Sequence, residues 1–229
     1  MKNLPKQILK TIVIVFCLIL THGYGKGVLH YLNLFNEQEY RLSAFLIGAG
    51  IYWVIKLAFF SKKKNFLSVL THEFSHLIFV MLSFRKIDAF SAERGGKSST
   101  KMNSDNFLIV LAPYFFPLIA LLLIVVKVSV LPMHQWVLNG FLGSAVMFHF
   151  YHLINEFTLK QPDLQRYGIV FSLIVIVTFN LFFFGLCLSS LGGDWQVVGE
   201  YLRSGLNECW GFVDNAVQVV LHTSFTPFV

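Results

Sequence analysis

From Ile169 to Leu188 the chain runs through twenty residues without one charged side chain, about the length a helix needs to cross the hydrocarbon core of a bilayer. In lipid every backbone N–H and C=O must find a partner within the protein, so a run of this kind folds as a helix or as part of a closed barrel. The run shows no alternation of polar and apolar residues, which excludes a barrel strand and leaves a helix. It is one of a series. Comparable runs cover Thr11–Leu20 with a weaker continuation to Phe35, then about Leu42–Phe60, Phe66–Phe84, Phe107–Val130 and Gln135–Ile154. The expected fold is an all-α membrane protein, a polytopic bundle of about six transmembrane helices with a short polar hairpin or loop after the third.

Composition supports this and removes other classes. Apolar residues make up 55% of the 229 and charged residues only 13%, about half the charge with which a soluble domain covers its surface. The 25 phenylalanines are spread along the whole chain, so no segment has the composition of a disordered or nucleic-acid-binding arm. The net charge of +6 comes from Lys and Arg residues that mostly close the apolar runs, where they hold helix ends against lipid headgroups. The bilayer is therefore the first expected partner. Cys17, Cys187 and Cys209 show no paired spacing and read as small buried hydrophobes. The basic start Met1–Lys10 resembles a signal peptide, but no small-x-small cleavage site follows, and the first run is expected to remain as a helix.

Two connections break the pattern. Arg85–Asn106 is polar, holds Gly95-Gly96 and a Ser98-Ser99-Thr100 cluster, and suits turns or a hairpin better than a helix. Pro113 and Pro117 stand in the first turns of the fourth run. Proline there opens the backbone ladder, which a membrane tolerates only where protein or a cavity satisfies the freed groups.

Chemistry is concentrated in the third run, which reads Leu70-Thr71-His72-Glu73-Phe74-Ser75-His76-Leu77. On a helix His72 and His76 share a face one turn apart and can bind one ion together. Glu73 lies about 100° around from His72, beside that face. It can reach a water next to the ion without being a ligand, which is the H-E-x-x-H arrangement of zinc hydrolases. Each ionisable group at hydrocarbon depth costs about 2.5–3.5 kcal/mol on insertion scales, so three of them within five residues are poor filler.

With these flanks the sequence resembles the site-2-protease family, in particular its bacterial-type, B-like branch. The resemblance rests on Thr71–His76, on Arg94-Gly95-Gly96-Lys97-Ser98 with Leu111-Ala112-Pro113-Tyr114-Phe115-Phe116-Pro117, and on Gln161–Gly168. It implies an intramembrane zinc metalloprotease of a bacterial plasma membrane, cutting membrane protein substrates. It further implies zinc (Zn2+) as cofactor, Glu73 as the catalytic base, and His72, His76 and an aspartate from a later helix as metal ligands. Asp163, after Pro162, matches that aspartate, although Leu164 follows it where the family has glycine, and Asn155 is not in an Asn-x-x-Pro run. His149 and His152, three apart on the fifth run, and Glu156 one turn further compete for the third position. In the family a hairpin after the metal helix presents an edge strand to substrate, and Gly95-Gly96 would suit it; an ordinary exposed turn fits as well. The organisation expected is N-terminal membrane helices over 1–65, a metalloprotease core over 66–191 and a polar or amphipathic tail over 192–229. A metal-binding protein that does not cut, such as a metal transporter, is the alternative.

Overall fold

The computed structural model describes residues 4–37, 39–58, 66–84, 89–92, 98–101, 106–127, 134–158 and 161–225. The helices are α1 (Leu4–Glu37), α2 (Glu39–Ala58), α3 (Phe66–Leu82), α4 (Phe107–Phe115), α5 (Leu118–Lys127), α6 (Gln135–Glu156), α7 (Pro162–Tyr167), α8 (Ile169–Ser189) and α9 (Trp195–Phe225). Between α3 and α4, β1 (Ala89–Ala92) pairs antiparallel with β2 (Ser98–Lys101), Ala89 opposite Lys101 and Ala92 opposite Ser98. Gly95-Gly96 and the Lys62–Lys64 cluster lie outside the described residues.

Among the described residues four helical segments are long and apolar enough to cross a membrane: Lys6–Leu34, Arg41–Ala58, Gln135–Asn155 and Ile169–Gly192. The α4–α5 pair, bent by 70°, makes a fifth if its halves are one broken span. The expectation of about six counted Phe66–Phe84 as a full crossing. Its helix, α3, has 17 residues and rises only about 26 Å, short of the roughly 30 Å hydrocarbon core. Large apolar side chains stand exposed on α2 (Leu46, Ile47, Ile51, Val54) and on α8 (Val170, Val177). A lipid-facing surface accounts for such contiguous exposure, whereas a water-facing one of this extent is rare in soluble monomers.

Helix packing is close where glycine permits it. α2 lies along α6; a Cβ on Gly48 would stand 1.8 Å from the Gly140 carbonyl oxygen, and one on Gly143 would stand 1.9 Å from that of Phe45. Such small-residue seams bring backbones together where lipid gives no hydrophobic drive, and here Ser144 donates across the seam to the Gly48 carbonyl at 2.7 Å. α1 lies along α8 and α9. The residues expected to form a tail are thus largely one 31-residue helix docked on the bundle, with Tyr24, Tyr31 and Tyr201 buried between α1, α8 and α9. Cys17, Cys187 and Cys209 are free and buried.

Buried apolar residues fall into two clusters. One joins α1, α2, α5, α6, α8 and α9. The other joins Leu111, Ala112, Tyr114 and Phe115 of α4 to Leu164 of α7 and to Phe171, Val175 and Ile176 of α8. The second holds the candidate site.

Candidate metal centre

α3 accommodates polar residues in an apolar helix by bonding them locally. Thr71 Oγ1 donates to the Leu67 carbonyl at 3.0 Å and Ser75 Oγ to the Thr71 carbonyl at 2.8 Å, so neither hydroxyl enters lipid unpaired. The two histidines remain on one face, their ring centroids 5.1 Å apart.

Asp163 reaches them from the first turn of α7. Pro162 opens that short helix, where its fixed φ and missing N–H fit the first helical position. Gly168, at φ +94°, turns the chain from α7 into α8, a backbone conformation that glycine adopts without strain. Leu164 is completely buried and its carbonyl accepts from Ser172 Oγ at 3.1 Å. The leucine that departs from the family pattern therefore pins α7 into the apolar cluster.

One ligand atom from each of His72, His76 and Asp163 lies within 4.8 Å of the others. The structure thus brings together residues from α3 and α7 that are remote in sequence. His76 and Glu73 are buried, His72 and Asp163 half-buried. Both the Glu73 and Asp163 carboxylates stand close enough to His76 to act on it electrostatically.

The surrounding hydrogen bonds orient these groups, and α4 supplies them. His76 Nδ1 lies 2.7 Å from the Ile109 carbonyl oxygen. A carbonyl can only accept, so Nδ1 carries the hydrogen and the neutral ring keeps its lone pair on Nε2. Ile109 is free to accept because its helical partner would be the N–H of Pro113, which does not exist. Tyr114, itself buried, donates its hydroxyl to Asp163 Oδ2 at 3.2 Å, and its ring meets that of His72 edge-on at 5.9 Å. At the break between α4 and α5, Leu118 N–H bonds to the Phe116 carbonyl rather than to that of Tyr114. Asn180 of α8 takes the vacated Tyr114 carbonyl at 2.9 Å.

His149 and His152 do not join the group. With His72, Tyr114 and Pro117 they line a cavity of about 30 Å³, roughly the space of one or two waters. His149 Nε2 donates to Asn180 Oδ1 at 2.9 Å, so that nitrogen is already used. The side chain of Glu156 lies outside the described residues. Sequence reasoning passed over the Ile109 carbonyl, Tyr114 and Asn180. Pro113, four residues after Ile109, was the available signal for the first.

Comparison with protein-family models, with curated proteins and with solved structures finds no match to this chain.

The donor set suits zinc. His72, His76 and Asp163 would hold such an ion through two imidazoles and one carboxylate, and hydrolytic zinc sites combine three protein ligands of this kind with a position kept for water.

Proposed function

We propose that the protein is a zinc-dependent intramembrane peptidase of the site-2-protease type, residing in a bacterial plasma membrane. The observation that carries this reading is the convergence of His72, His76 and Asp163 to within 4.8 Å, with Glu73 buried on the same helix. His72 and His76 through ring nitrogens and Asp163 through a carboxylate oxygen would hold the ion. Zinc, when bound, polarises a carbonyl and makes water acidic enough to react near neutral pH. Glu73 then takes a proton from the attacking water at its carboxylate and returns it to the leaving amine. Tyr114 holds Asp163, and the Ile109 carbonyl holds the His76 tautomer. The cavity beside His72 supports access of water.

A helical substrate hides its carbonyls in its own hydrogen bonds and must be extended before it can be cut. The β1–β2 ladder beside α3 supports strand addition by such a segment. α3, too short to cross alone, would then enter as a sixth, partial element of the membrane bundle.

Purified protein should carry about one zinc per chain and cleave a membrane-segment substrate in reconstituted vesicles. Glu73→Gln should keep the metal and lose about 10²–10⁴-fold in rate, the range for a general base. Undiminished cleavage by Glu73→Gln removes the mechanism. Metal flux into vesicles that survives this change, without proteolysis, would instead identify a transporter.

A further inference from the structure

A second cavity, of about 420 Å³, opens between the first turns of α1, the start of α4 and the α7–α8 corner. Its size falls in the range of small-ligand sites. Three of its lining residues, Lys6, Lys10 and Arg166, are cationic and none is acidic; Val13, Phe107 and Phe171 give it an apolar wall. Two of the cations have partners in the cavity wall. Lys10 Nζ donates to the Tyr167 carbonyl at 2.7 Å and lies 5.9 Å from the centre of the Phe171 ring. The Arg166 guanidinium lies 6.0 Å from the centre of the Tyr167 ring.

The depth of the cavity follows from helix direction. Lys10 meets Tyr167, and further along Thr21 Oγ1 meets Thr178 Oγ1 at 2.8 Å, so α1 and α8 run the same way. Their apolar spans begin at Lys6 and Ile169, which puts the cavity at a membrane–water boundary. Basic pockets between helices at that level bind anionic headgroups.

We propose that this cavity binds an anionic phospholipid, its headgroup phosphate between Lys6, Lys10 and Arg166 and the upper acyl chain against Val13, Phe107 and Phe171. A free anion would use the cations and leave the apolar wall unfilled; a zwitterionic lipid would bring its own ammonium among three cations. Arg166 stands one turn after Asp163 on α7, but the proposal does not depend on the metal site.

The test uses full-length protein in phosphatidylcholine vesicles containing a photoactivatable phosphatidylglycerol, with cross-links mapped by mass spectrometry. Labels should concentrate on the α1 residues 6–13, Phe107 and residues 166–171. Lys6→Gln, Lys10→Gln and Arg166→Gln should each lower labelling about fivefold, whereas Lys26→Gln, on the exposed Lys26–Glu208 pair, should label as the unaltered chain does. Excess inorganic phosphate should leave the label in place, and a photoactivatable phosphatidylcholine should not give it. Labels spread evenly over the lipid-facing helices, equal labelling by phosphatidylcholine, or displacement by phosphate or by an acidic peptide would each overturn the proposal. Should a variant fail to insert, the label map of the unaltered chain decides alone.

Discussion

α8 runs for 21 residues without interruption, whereas the α4–α5 pair, equally free of charge until Lys127, bends by 70° at Phe116-Pro117. The polar side chains of α8 mostly turn back to backbone carbonyls: Thr178 to Ile174, Ser172 to Leu164 and Asn180 partly to Ile176. In α4 the traffic is reversed. Its carbonyls at Ile109 and Tyr114 receive His76 and Asn180 from neighbouring helices. At membrane depth an open backbone group must be filled by protein, and one of the groups that fill it here, His76, is a side chain the candidate chemistry needs in fixed orientation. The broken helix thus acts as the jig of the site, and the unbroken one as a wall.

The largest expected effect lies on the site itself. Asp163→Asn keeps the size of the side chain and one oxygen donor but removes the charge opposite a metal cation. Zinc affinity should fall by more than the about 10–100-fold typical of losing a supporting hydrogen bond, with activity lost and the protein still inserted. Zinc content by elemental analysis checks it; full occupancy would move the third ligand away from α7.

Pro113→Ala tests the jig directly. It returns an N–H to the Ile109 carbonyl, which can then close its helical bond and compete for the acceptor that holds His76. Zinc affinity should fall by about 10–100-fold while helix content is kept or slightly raised, since proline disfavours a helix interior. Metal titration with circular dichroism separates the two readouts. An unchanged affinity would mean that the break is a packing feature only. Tyr114→Phe removes the hydrogen bond to Asp163 and keeps the ring against His72. A smaller loss is expected, about tenfold in zinc affinity, measured by competition with a chelator.

The apolar runs located the elements well because lipid leaves the backbone one solution, and each run from Thr11 to Leu188 contains helix. The count of crossings was less legible. Phe66–Phe84 is as apolar as its neighbours, but polarity alone does not show that its helix ends at Leu82. The stretch after Gly192 carries enough charge to resemble a tail, yet its buried stripe is set by Tyr24, Gly23 and Gly27 of α1, remote in sequence: a Cβ on Gly23 would stand 2.3 Å from Cys209 Sγ. The histidine pair was legible because it is local and periodic. The approach of Asp163 depends on the turn at Gly168 and the burial of Leu164, neither of which has a spacing rule. Tyr114 and Asn180 look like ordinary residues of apolar helices until the break in α4 shows what they must satisfy.

Gly185→Ala is the change expected to leave the metal alone, and it tests the wall. A Cβ at this position would lie 2.2 Å from the Tyr201 hydroxyl oxygen, and Tyr201 is fully buried with its hydroxyl donating to the Phe182 carbonyl at 2.9 Å. The tyrosine cannot swing aside without giving up that bond, so α8 and α9 must separate slightly. Overpacking of this kind costs about 1–3 kcal/mol. The strain falls on the seam between α8 and α9, on the stretch of α8 beyond Asn180, whereas the α8 side chains that hydrogen-bond to α4 and α7 beside the site are Ser172 and Asn180 itself. Thermal unfolding in detergent should move to lower temperature while zinc affinity stays within about twofold, as expected for sites that share no partners. A loss of zinc affinity as large as that of Pro113→Ala would show that the unbroken helix also positions the site, and the division between jig and wall would fail.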